Sequence, residues 1–198
     1  MAKAGKIRGI KKRSTLAEAA ARTLAVRLAE FEARLPALDT PEDADALHDL
    51  RIAAKRLRYT VELFQSVLPP DAPRLIDRLK DLQDDLGFIH DRDVLVELAR
   101  AEHRAAGERE AELLAGVATS PGPRDERLGS VAARLQGPEG VANLAPGLLG
   151  LLADAADERR DRLARLHKRR QTWQAEGFTE RLRALSGGRV ANGRAAGR

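Results

Sequence analysis

The chain has 198 residues and no cysteine, with one methionine, one tryptophan and one tyrosine. Without cysteine there is no disulfide scaffold, no thiol nucleophile and no thiolate metal centre, which fits a reducing cytosol. Phe, Trp and Tyr together number six, whereas single-stranded nucleic-acid binders stack bases on exposed aromatic rings. No apolar run approaches the roughly 20 residues of a membrane span. The basic N-terminus leads into an amphipathic pattern, not the apolar block of a signal peptide. No run of alternating β-branched residues marks a strand. The expectation is a cytoplasmic protein without membrane association.

What is present is charge. Lys and Arg number 35 against 30 Asp and Glu, a formal charge of +5. Residues 1–13 hold Lys3, Lys6, Arg8, Lys11, Lys12 and Arg13 with no acid, and 187–198 hold Arg189, Arg194 and Arg198 with none. Both ends are rich in Gly and Ala and have little to bury, so they read as flexible basic tails. Residues 14–186, expected to form the folded domain, carry 26 basic and 30 acidic side chains, a net of −4. Any anion site there must come from local clustering.

The hydrophobic pattern has a helical period throughout. A Thr15-Leu16-Ala17-Glu18 capping box precedes Leu24, Leu28, Phe31, Leu35 and Leu38, which predicts a helix over 15–38. Thr40 as N-cap with Pro41 at the first helical position predicts a second helix to about Leu68, stopped by Pro69-Pro70. A third is expected over 72–86, broken at Gly87, and a fourth from an Asp91 N-cap to about Val117. A short helix over 125–135 and a long one from Leu148 past Trp173, bending or restarting at Gly177, complete the chain. The fold class is all-α: an antiparallel bundle of about five to six helices.

The densest signal is His48-Asp49-Leu50-Arg51-Ile52-Ala53-Ala54-Lys55-Arg56-Leu57-Arg58-Tyr59. Leu50, Leu57, Val61, Phe64 and Leu68 form the apolar face of this helix. His48, Arg51, Lys55 and Arg58 form a second stripe, and Arg56 lies nearer the other flank. No acid falls between Arg51 and Arg58, so the i,i+4 partners of an ordinary solvated face are missing; Glu62 caps the stripe one turn later. Such a ladder suits a polyanion. The plain alternative is a solvated face, or one salt-bridged to Asp81, Asp84 and Asp85. A second basic cluster, Arg159 to Arg170, puts Arg162, Arg165 and Arg169 on one face. Arg159 and Arg170 fall beside the apolar meridian, where they need partner acids or a ligand.

The pattern His48-x-x-Arg51-Ile52-x-x-Lys55-Arg56-x-Arg58-Tyr59-x-x-Glu62-x-Phe64, then Leu79-Lys80-x-Leu82-Gln83-x-x-Leu86-Gly87-x-Ile89-His90-Asp91-x-Asp93-Val94, closely resembles the CHAD family, the conserved-histidine α-helical domain. The resemblance covers about residues 48–98. It implies a helical bundle that binds inorganic polyphosphate through a basic surface or pore, with no known catalysis and no cofactor. By position it makes His48, Arg51, Lys55, Arg56, Arg58, Lys80 and His90 the candidate ligands, with Arg162, Arg165 and Arg169 a weaker addition. Association with polyphosphate granules would follow. The family usually carries two copies of the helical unit, whereas here the histidine motif occurs once. The basic pore is therefore expected to be incomplete, or completed by the last helix or by a second subunit in a homo-oligomer.

Two rival functions compete. His48-Asp49 and His90-Asp91 suggest a metal-dependent HD-type phosphohydrolase, but Arg and Lys around them repel a cation and no third or fourth ligand stands out. His103 and His167 read as solvated surface residues. A nucleic-acid-associated protein would use the basic tails for weak, non-specific contact. Glu30-Phe31-Glu32-Ala33-Arg34 superficially resembles the E-x-E-x-K motif of a triphosphate tunnel domain. On a helix its glutamates diverge, and no strand surrounds them.

Overall fold

A computed structural model describes residues 4–136 and 141–187, and among them every regular element is helical, with no strand. Helix α1 spans Leu16–Glu32. Its N-terminus is closed by the expected capping box: Thr15 Oγ1 accepts from the Glu18 amide at 3.2 Å and Glu18 Oε2 from the Thr15 amide at 3.0 Å. It ends short of Leu38, because Pro36 has no amide hydrogen for the Glu32 carbonyl and its ring would clash with that carbonyl. Leu35–Asp39 tighten into a 3₁₀ turn instead. Helix α2, Ala44–Phe64, starts later than Thr40-Pro41 suggests. Thr40 still closes the 3₁₀ turn onto Ala37, and Asp43 is the N-cap, its carboxylate accepting from the Ala46 amide at 2.9 Å.

Helix α3 runs unbroken over Ala72–Thr119. The predicted break at Gly87 does not occur, so Asp91 lies inside a helix and is no N-cap. One interior glycine costs only about 1 kcal/mol, which the packing of Leu75, Leu79, Leu82, Leu86 and Ile89 easily exceeds. Helix α4 covers Arg124–Gln136, α5 Val141–Ala175, and α6 Phe178–Gly187. Gly177, at φ +68°, makes the expected turn between the last two, a left-handed conformation that glycine adopts without steric cost.

Packing divides the chain into two compact units. The first takes the chain up to His90 and again from Arg162, and holds the large buried hydrophobic cluster: Leu24, Leu28 and Phe31 of α1; Leu50, Leu57 and Val61 of α2; Leu75, Leu79, Leu82 and Leu86 of α3; Leu163, Leu166 and Trp173 of α5; Leu182 of α6. The second unit, Asp91–Asp161, buries only Ala99, Ala106 and Ala155 among its described hydrophobic residues. It ties α3 to α5 by ion pairs, Arg159 to Asp93 at 2.6 Å and Arg92 to Glu158 at 2.9 Å.

The N-terminal stretch expected as a free tail is non-helical over 4–13, yet tethered at Gly5, whose amide donates to Glu30 while its carbonyl accepts from Arg27 at 3.4 Å. Residues 1–3, and 188–198 of the C-terminal tail, lie outside the described residues. Among the described residues no helix is long and apolar enough to cross a membrane.

Candidate functional site

The polar edge between α2 and the first half of α3 is built by two antiparallel stripes. On α3, Lys80, Gln83, Gly87 and His90 recur at steps of three and four, so they share one face. They meet α2 in reverse order. The His90 ring lies against His48, centroids 4.7 Å apart and planes tilted by 45°. Arg51 crosses Gly87, where a β-carbon would stand 3.4 Å from Arg51 Nε. Arg58 Nε donates to Gln83 Oε1 at 3.3 Å. The 3.4 Å at Gly87 is ordinary van der Waals contact, so Arg51 packs closely over Gly87 on this face of α3.

The cations along this edge are not equivalent. Arg51 Nε and the His48 Nδ1 nitrogen are buried without a hydrogen-bond partner. Among the described residues Arg51, Lys55 and Lys80 form no ion pair. Arg58 does: its Nη1 lies 2.7 Å from Glu62 Oε1. Tyr59 is the one aromatic side chain left exposed among the described residues, at 49%, and both Lys55 and Arg58 lie over its ring, 5.8 and 4.5 Å from the centroid.

The remaining sequence candidates lie elsewhere. The charge of Arg56 acts on Glu30 of α1. Arg162 and Arg169 converge on Asp85, at 3.0 and 2.6 Å, and Asp85 is only 2% exposed. Arg162 also caps the Phe88 ring at 4.3 Å. Asp81, Asp85 and Phe88 occupy the other flank of α3 from Lys80, Gln83, Gly87 and His90, on average roughly 150° around the helix at about 100° per residue. The two basic clusters therefore do not form one groove. Of the acids suspected of neutralising the α2 stripe, Asp85 instead serves α5, where Arg169 also donates to the Asp81 backbone carbonyl at 3.3 Å. Arg165 is exposed on α5.

The inward arginines of α5 have the partner acids they need: Arg159 has Asp93 and Arg170 grips Asp39 with both Nη atoms, at 2.6 and 3.2 Å. The Arg170 hydrogen bond, reinforced by its charge, holds the Asp39 carboxyl below its ordinary value. His167, expected to be solvated, instead bonds the Leu38 carbonyl through Nε2 at 2.9 Å. On α1, burial pushes the Glu30 carboxyl up, but the Gly5 amide, the Arg27 guanidinium and the charge of Arg56 together hold it below its ordinary 4.5.

Sequence reasoning passed over Gln83, Gly87 and Tyr59 as functional positions. The signal for the first two was the three-four-three spacing from Lys80 to His90. Among the described residues no group of three His, Asp or Glu side chains is placed to hold a metal ion.

The family model of the CHAD domain matches residues 3–100. That span holds the whole edge from His48 to His90 and none of Arg162, Arg165 and Arg169. No curated protein and no solved structure matches the chain.

Proposed function

Residues 3–100 place this chain in the CHAD domain family, and from that premise we propose that it binds inorganic polyphosphate along the α2–α3 edge without catalysing a reaction. Arg51 and Lys55 are the principal ligands, flanked by His48, His90, Lys80 and Arg58. The observation that carries this reading is that Arg51, Lys55 and Lys80 line one edge with no ion pair among the described residues, and only Arg58 at its end has a carboxylate partner. Phosphate oxygens would supply these cations with short, charge-assisted hydrogen bonds. Tyr59 favours a ligand without bases. Its ring already carries two cations, so a nucleobase stacking on a face they cover would compete with them.

The test is a titration of polyphosphate, tripolyphosphate and single-stranded DNA at several salt concentrations, with wild type and the double variant Arg51→Glu, Lys55→Glu. Wild type should prefer polyphosphate, with affinity falling steeply as salt rises. The variant should lose that binding while keeping its helix content. Unchanged affinity in a folded double variant would overturn the proposal.

A further inference from the structure

The α2 stripe does not end by running out of cations. It ends on Glu62, one turn beyond Arg58, with the two in contact at 2.7 Å. Glu62 is not needed to hold Arg58 in place, because Gln83 accepts from its Nε and the Tyr59 ring lies beneath its plane. These contacts also hold the guanidinium, and the carboxylate occupies Nη1, one of its donors. We propose that Glu62 is a specificity-determining residue of this edge: a carboxylate that any chain long enough to reach Arg58 must displace, and that ends the anion track there. This rests on the polyphosphate reading above.

The geometry separates ligands by reach. Arg51 and Arg58 are seven residues apart, roughly 10 Å along the helix. A single phosphate group bound at Arg51 and Lys55 never meets Glu62. A linear chain that spans the stripe does, and must exchange an existing ion pair for its own contact with Arg58. The pair is partly solvated, and exposed i,i+4 pairs are weak, so the exchange lowers affinity by a small factor rather than blocking it.

The experiment measures long-chain polyphosphate and orthophosphate binding to wild type, Glu62→Gln, Arg58→Gln and the double variant, with thermal unfolding as a check on folding. Glu62→Gln keeps the shape and removes the charge. It should tighten long-chain binding about 2- to 5-fold, in line with the strength of exposed pairs, and leave orthophosphate unchanged. In the Arg58→Gln background the same substitution should have no effect on long-chain affinity, since the coupling runs through that one contact. Long-chain affinity unchanged or weakened in a folded Glu62→Gln protein would overturn the inference. So would an equal gain for orthophosphate. Absence of any wild-type polyphosphate binding would overturn the parent reading as well, so the two failures are distinguishable.

Discussion

Two kinds of arginine look alike in a composition count and differ in what they face. Arg162 and Arg169 are committed to Asp85, a carboxylate almost wholly withdrawn from water. An ionised buried carboxylate is tolerated only when opposite charge and hydrogen bonds replace its hydration, so these arginines are part of the fold. Arg51 has no such partner. Replacing Asp85 by Asn keeps the shape and strands two guanidinium groups. The expected loss is about 2–3 kcal/mol, short of the roughly 3–5 of an enclosed pair because both arginines reach solvent. Urea unfolding measures it, and polyphosphate affinity under folding conditions should be unaffected. A loss below about 0.5 kcal/mol, the range of ordinary surface changes, would mean that the pair is not structural.

At the scale of elements, local signals were read correctly where local physics decides the outcome. The Thr15–Glu18 capping box and the turn at Gly177 are short-range devices, and both stand as expected. The apolar period of α2 and its cationic stripe were also legible, because one helix fixes which of its residues share a face. Two things were not legible. Gly87 carries a local cost that tertiary packing overrides, so α3 continues through it. The flank of α3 on which Arg162 and Arg169 land depends on how α5 docks, which no single-helix period contains.

The N-terminal tether is a third such case, since Gly5 and Glu30 are 25 residues apart in sequence, and it makes a pH prediction. The Glu30 carboxyl has a lowered folded value, so its stabilising contribution is complete above the ordinary 4.5. It is lost as pH falls through the folded value. Glu30→Gln should therefore be less stable than wild type at pH 7, with the difference closing below about pH 4. Chemical denaturation from pH 7 to pH 2.5 reads this directly. A gap that stays constant with pH would mean that Glu30 acts by shape alone.

Over the whole molecule the +5 conceals a segregation. Residues 91–161 carry nine basic against fourteen acidic side chains, and the rest of the chain 26 against 16. Nine of those 26 lie in the two terminal stretches, 1–13 and 187–198. A polyanion could be held by net charge in the termini or by placement along the α2–α3 edge, and salt separates the two. Fields from charges farther away than about 8 Å are screened at physiological ionic strength, while direct ligands still release counterions from the bound chain. Removing residues 1–13 and 187–198 takes away nine positive charges and leaves a net of −4. If placement governs, the truncated protein keeps polyphosphate binding, within about tenfold of the full chain near physiological salt, and keeps most of its salt slope. Arg51→Glu, Lys55→Glu in the full-length chain should instead remove binding even though both termini are intact. Equilibrium titrations of both proteins from low to physiological salt measure the difference. Loss of binding in the truncated protein alone would make the termini the site and the helical edge a bystander.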